Sequence, residues 1–375
     1  TQVSPNVEYE KPDPPATLSD VTPAQDGDFT YGLNQINVPG FEDEFDTQGE
    51  GATVMIGDDG ISNPDQGHPD LEFTEEVNVV NGEINDGLGT PGAHGEHVAG
   101  TATGAAAPVG DVPRYGVAPN ADLLKANVFE GQAASEDIIA SMEWAAENDA
   151  DVASFSLGLP NQQGLSTFSS LYTGVISDVK ASGTLPVVSA GNAGGTGNVG
   201  GADGGPVSSP ATNFNSVAIG ASNDAGEIAG FSSGALINDR TIEGADELPA
   251  TFPSQYVQPD VSAPGSVVLS AGPLGTPVDD PDATYSTASG TSMAAPHYAG
   301  AVALLQAATD DDLSPTVIEA ALAETAEKPD TDSTELNSRD IRFGTGIIDV
   351  HAAAQALNET QTVEGGLDSG YFAKA

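Results

Sequence analysis

Ser292 stands in Ser289-Gly290-Thr291-Ser292-Met293-Ala294-Ala295-Pro296-His297, which runs on as Tyr298-Ala299-Gly300-Ala301-Val302-Ala303-Leu304-Leu305. A Gly-Thr turn delivers a hydroxyl to the start of a helix whose apolar residues demand burial almost all round. Free backbone N–H groups and the positive end of the dipole gather at such a start and favour negative charge. An acyl-transferring serine gains from that placement, because its intermediate carries an oxyanion. Such chemistry also needs a base within reach of the hydroxyl, a carboxylate that fixes the base's tautomer, and donors aimed at the oxyanion. The chain offers a candidate for each role. Asp58 follows a short apolar run, and His94 opens His94-Gly95-Glu96-His97-Val98-Ala99-Gly100-Thr101. Asn192 lies in Ser189-Ala190-Gly191-Asn192-Ala193-Gly194. Taken singly, each reads as easily as a turn acid, a structural histidine or a capping serine.

The elements that must hold these groups can be read from their apolar patterning. Runs at 52–57, 123–128, 152–157, 185–190, 217–220 and 267–271 suit strands, and the buried kind carries no alternation. Helical spacing appears at 135–147, 166–181, from Ser292 onward, at 316–323 and at 352–357. Residues 222–258 read as irregular. Strands alternating with helices predict an α/β fold, a doubly wound, mostly parallel sheet flanked by helices. Ligands in such sheets sit at the carboxyl ends of strands. Asp58 and Asn192 both directly follow predicted strands.

With 375 residues the chain can bury a sizeable core. Its 45 glycines and 26 prolines form no long low-complexity run, and it contains no cysteine, which excludes disulfides and thiolate chemistry. No stretch reaches the roughly 18 apolar residues of a membrane span. Fifty-six acidic residues stand against 9 basic ones, a formal charge of −47. Nucleic acid and anionic membranes are therefore poor partners. Such a surface repels itself in dilute buffer, and about 1 M salt, with a Debye length near 3 Å, screens most of that repulsion. The acid excess resembles that of proteins from extreme halophiles.

The order Asp58, His94, Ser292, with the surroundings quoted above, resembles the subtilisin-like serine proteases, the subtilase family; the order itself is a known example from subtilisin. The resemblance runs from about Tyr31 to Leu357, and the charge makes it halolysin-like. It implies a subtilisin-like fold and a serine endopeptidase acting on peptides or proteins. It also implies Ser292 as nucleophile, His94 as general base and Asp58 as its orienting carboxylate. The Asn192 amide and the Ser292 N–H would bind the oxyanion. Ser156-Leu157-Gly158 is similar to the segment that pairs with the substrate backbone as an added strand. Tyr31-Gly32-Leu33-Asn34-Gln35-Ile36-Asn37-Val38-Pro39 resembles the start of the mature domain. Residues 1–30 then form an extended arm, 31–358 the catalytic domain and 359–375 a tail. Within the arm, Ser4-Pro5-Asn6-Val7-Glu8-Tyr9-Glu10 resembles the last strand of an inhibitory propeptide, with a solvated linker as the alternative. Thr1 in place of Met suggests a processed product from which an export signal was removed, so secretion is expected; a monomer is expected as well.

Departures from the family pattern carry further expectations. Asp59 stands where Ser or Thr is usual and matches a branch in which this acid favours a basic substrate residue before the scissile one. Glu96 replaces a threonine two residues from His94; near the ring it would favour the imidazolium and move activity to higher pH. Ser154 replaces an asparagine. Asp70, in His68-Pro69-Asp70-Leu71, matches a position that ligates calcium in the family, with Asp26, Asp28 or Asp111 to complete the site. The other histidines, His68, His97, His297 and His351, are read as structural. Two other readings stay open. Gly230-Phe231-Ser232-Ser233-Gly234 fits the nucleophile turn of an esterase using Ser232, and a subtilase fold with lost catalysis would be a binding protein.

Overall fold

A computed structural model describes residues 8–9, 25–26, 28–60, 67–87, 89, 92–129, 133–158, 169–194, 205–238, 253–273, 276–278, 285–309, 313–329, 335–336 and 339–364. The apolar runs form the centre of the molecule. Its main sheet has eight strands: β1 (Thr53–Asp58), β2 (Glu75–Val80), β3 (Glu83–Asp86), β4 (Asp122–Asn127), β5 (Val152–Phe155), β6 (Leu185–Ser189), β7 (Val217–Ser222) and β8 (Val261–Pro264). The strand order is β8-β7-β6-β5-β1-β4-β2-β3. Every pairing is parallel except β2 with β3. That hairpin, absent from the sequence reading, turns at Asn81 and Gly82, whose φ of 53° and 73° suit the two-residue turns that strand twist prefers.

The described residues also form eight helices: α1 (Tyr31–Gln35), α2 (Val38–Phe45), α3 (Ala93–Thr103), α4 (Ser135–Glu147), α5 (Ser169–Ser182), α6 (Thr291–Ala307), α7 (Pro315–Glu324) and α8 (Val350–Glu364). Side chains alternate between the two faces of each strand, so each face gathers its own cluster. Val54, Ile56, Leu123, Val187 and Ile219 pack with Val98, Ala99, Ala295 and Val302 of α3 and α6. Met55, Leu124, Ala153 and Val188 pack with Ile138 and Met142 of α4 and Tyr172 and Ile176 of α5. The result is a sheet between two helical layers, as the alternation of elements predicts.

The small residues of α6 have a spatial reason. A Cβ on Gly300 would stand 2.5 Å from Val117 Cβ and 3.1 Å from the Ala102 carbonyl at the end of α3. Close approach of these two helices therefore needs glycine at that crossing.

Some expected boundaries move. Residues 222–258 hold an antiparallel pair, Ala235–Asn238 with Gln255–Gln258, and 267–271 becomes a strand, Val268–Ala271, of a separate three-stranded sheet. Helix α8 runs to Glu364, across the expected start of the tail. Of the expected arm, Glu8–Tyr9 forms a strand antiparallel to Ala133–Ala134, with Glu8 opposite Ala134. Residues 10–24, 159–168, 195–204 and 365–375 lie outside the described residues.

Candidate active site

All the parallel strands end on one edge, and three of the singled-out residues stand there. Asp58 closes β1, Ser156 follows β5, and Asn192 follows β6. Because β5 lies between β6 and β1, the three form a row along that edge. His94 sits in the first turn of α3, and Ser292 in the first turn of α6.

Asp58 is fully buried, and its Oδ1 accepts from His94 Nδ1 at 2.7 Å and from the Asp59 N–H at 2.8 Å. A carboxylate facing Nδ1 selects the tautomer with the proton on Nδ1 and leaves Nε2 with its lone pair. The pair is dry: His94 is 7% exposed. Ser292 is 2% exposed, and its Oγ has no hydrogen-bond partner among the described residues. The hydroxyl is therefore not committed to a structural bond.

Pro296 explains how Ser292 is held. Proline has no N–H for the carbonyl four residues earlier, here that of Ser292. Ser156 Oγ donates to that carbonyl at 2.8 Å instead. The first turn of α6 is thus pinned to the sheet between Asn192 and Asp58. Leu157 is fully buried, and a Cβ on Gly158 would stand 2.6 Å from Ser208 Cβ, so the backbone there is closely confined.

Asn192 is oriented by its neighbour. Its Oδ1 accepts from the Thr291 N–H at 2.9 Å and from Thr291 Oγ1 at 3.1 Å. Thr291 Oγ1 in turn accepts from the Gly191 N–H at 3.0 Å. The Nδ2 end must then point the other way. A Cβ built on Gly290 would stand 3.3 Å from Asn192 Nδ2 and 3.6 Å from the Ser292 backbone nitrogen. Asn192 Nδ2 and the Ser292 nitrogen thus both border the space beside Gly290, with Asn192 Oδ1 at 3.7 Å from the same point; nitrogen donors so placed are of the kind a developing oxyanion requires.

Asp59 lies elsewhere than the substrate-facing expectation. It is 3% exposed, and its Oδ1 accepts from the Gly95 N–H at 2.5 Å. A helix start with free N–H groups has drawn this acid beneath itself. A Cβ on Gly92 would collide with the Asp59 carboxyl at 2.1 Å. Glu96 is also buried, with Oε2 3.0 Å from the Cβ position of Gly272. Two positions along a helix do not share a face, so it points to the far side of α3 from His94.

Asp70 is buried, and donors surround its carboxylate. Tyr115 and Tyr285 hydroxyls donate to Oδ2 at 2.7 and 2.8 Å, and the Val109 N–H donates to Oδ1 at 2.8 Å. Calcium needs six or more oxygen ligands, and a carboxylate already ringed by three protein donors does not fit it. Asp28 and Asp111 are exposed, and no group of three acidic or histidine side chains suited to a metal occurs among the described residues.

The remaining histidines are part of the packing. His97 and His297 are buried; burial pushes the first down to about 3, aided by the neighbouring His94, and the second down to about 4. The His68 ring lies edge-on to Tyr285, and His351 Nε2 meets Glu44 Oε2 at 2.6 Å. Ser232, of the esterase-like motif, is fully buried, accepts from the Ala221 N–H at 2.9 Å, and is followed by a strand where a nucleophile turn needs a helix.

Comparison with known proteins gives the family. The model of the subtilase family matches residues 49–346. The chain is 33% identical to subtilisin of Bacillus pumilus over 330 residues, covering 87% of this chain and 98% of that one. It is 33% identical to subtilisin E of Bacillus subtilis over 87% of this chain and 71% of that one. Subtilisin Savinase of Lederbergia lenta is 31% identical, over 87% and 98%.

Proposed function

The chain belongs to the subtilase family and is a subtilisin-like serine endopeptidase; from that premise we propose that Ser292, His94 and Asp58 carry the reaction. His94 Nε2 takes the Ser292 proton as Oγ attacks the peptide carbonyl. Asp58 holds Nδ1 and stabilises the imidazolium, which then protonates the leaving amine. Asn192 Nδ2 and the Ser292 N–H receive the oxyanion. Water hydrolyses the acyl-enzyme with His94 as base again. The observation that carries this reading is the 2.7 Å bond between His94 and a fully buried Asp58, at the sheet edge where Ser292 is anchored.

The substrate acyl side would lie as an added strand against Ser156-Leu157-Gly158. The Glu8–Tyr9 strand on Ala133–Ala134 supports a role for the N-terminal segment as an internal, strand-forming inhibitor of propeptide type. Salt adaptation is supported by where the cations go. Among the described residues Arg114, Lys125, Lys180, Arg339 and Arg342 are all buried or half-buried, and Lys328 alone is exposed, which leaves an acidic surface that salt must screen. We read the protein as a secreted enzyme of a saline medium.

A fluorophosphonate probe, applied across roughly 0.1 to 4 M NaCl, tests both points. Labelling confined to Ser292, abolished in Ser292→Ala and rising with salt, is expected, with peptide hydrolysis following the same curve. Labelling elsewhere would remove the triad assignment, and equal activity at low salt would remove the halophilic one.

A further inference from the structure

A fully buried lysine stands behind the helix that carries His94. Lys125, in the middle of β4, has no exposed surface. In register it lies between Ile56 of β1 and Glu76 of β2, on the face covered by α3. Its stem rises to the first turn of that helix. The Cβ position of Gly95 is 3.1 Å from Lys125 Cε and 2.8 Å from Asp59 Oδ1, so both side chains meet beneath the same residue. Asp59 is bonded to Gly95 N–H at one end, and its own N–H bonds the Asp58 oxygen that holds His94.

A buried ammonium is costly unless it answers other charges. The titratable groups on the surrounding elements are Asp58 at the end of β1 and Asp59 just after it, Glu76 from β2, and His94, Glu96 and His97 from α3; the neighbouring strand β5 brings only Ser154 to this row. Burial raises the Glu76 carboxyl above its ordinary range, and the Lys125 charge opposes that rise. Asp58, Asp59 and Glu76 therefore lie around the base of α3, with Glu96 on its other side.

We propose that Lys125 is a positioning residue for catalysis: its ammonium holds the Asp59 carboxylate under the first turn of α3 and offsets the acids there, keeping His94 docked on Asp58 and available as a base. The inference rests on the triad reading above. Without the cation, the surrounding carboxylates favour the imidazolium and remove the base over a wider range of pH. A unit charge about 10 Å away at an effective dielectric near 20 is worth roughly one pH unit.

The test is peptide hydrolysis by the full chain in high salt, as a function of pH, with kcat and KM measured separately. Lys125→Met is expected to move the acid limb of kcat upward by about one pH unit, a loss of about tenfold below the limb, with KM within about twofold. Thermal stability should hold, because methionine fills the same space without a buried charge. Adding Asp59→Asn, which keeps the oxygen that accepts from Gly95, should move the limb back toward the parent. If Lys125→Met does not fold, Lys125→Gln serves the same comparison. A parent that hydrolyses peptides while both variants leave the limb unmoved overturns this proposal alone. A parent that is not labelled at Ser292 overturns the triad reading and this proposal with it.

Discussion

An amide side chain can offer an oxygen or an amine, and its type alone does not say which. At Asn192 the choice is made by Thr291, whose N–H and hydroxyl both hold Oδ1. The donor end is thereby turned toward the space above Gly290 before any substrate arrives. Asn192→Ala should lower kcat roughly 10²–10³-fold, a magnitude known from subtilisin's own asparagine, with KM little changed. Thr291→Val keeps the shape and the N–H but loses two neutral bonds, to Asn192 Oδ1 and from the Gly191 N–H; only the first orients the amide and is worth about 1 kcal/mol, so kcat should fall only a few-fold. Steady-state kinetics separates the two, and equal losses would show that the amide is not oriented in this way. The residue types of this site were legible in the sequence because the order of Asp58, His94, Asn192 and Ser292 restricts their roles jointly. Direction was not legible. Asp59 reads as a substrate-facing acid until the free N–H groups of α3 are seen to draw it inward. Lys125 reads as an ordinary strand residue until its register places it under Gly95.

Elements were legible where burial made their pattern simple. The strand expected at 52–57 and the helix expected at 135–147 appear as Thr53–Asp58 and Ser135–Glu147, since a strand covered on both faces must be apolar throughout. The edge hairpin β2–β3 was missed because strands near the sheet edge are partly exposed and can carry polar residues such as Glu75 and Asn78, which breaks the apolar pattern; only Asn81-Gly82 marked it, through its turn chemistry. Asp70 shows a different limit. Its position suggested a metal, yet the partners that decide the matter, Tyr115 and Tyr285, come from distant segments. Three donors on one buried carboxylate tie the 67–71 segment to the sheet that contains Tyr285–Ala288. Asp70→Ala would leave two hydroxyls and an amide unpaired in a dry site, at a cost of about 3 kcal/mol or more. Excess chelator should change the melting temperatures of the parent and of Asp70→Ala by the same amount, because Asp70 holds no metal. A chelator effect in the parent that vanishes in an Asp70→Ala variant as stable as the parent would sink this account.

On the scale of the whole molecule, the placement of charge sets how stability responds to pH. Cations serve as internal struts: Arg114 meets Glu42 at 2.6 Å, Lys180 meets Glu319 at 2.6 Å, and Arg339 meets Asp260. The acids that remain outside repel one another, and acidification should relieve that repulsion in dilute buffer. In several-molar salt the repulsion is already screened, so another term governs. His97 and His297 are held neutral by burial, down to about 3 and about 4. In the unfolded chain both take up protons near pH 6.5. Their burial is therefore without penalty above that pH, and stability is lost progressively as the pH falls below it, until the folded-state values are reached. Each contributes roughly 1.4 kcal/mol per pH unit, about 3 kcal/mol per unit for the pair. Denaturant unfolding at high salt should accordingly weaken from pH 7 to pH 5, although the net charge of −47 is being titrated away over part of that range. Replacing His297 by glutamine, which cannot take up a proton, should cut the slope by about half. A stability that stays flat or rises on acidification at high salt would show that surface repulsion, and not the buried imidazoles, controls the fold.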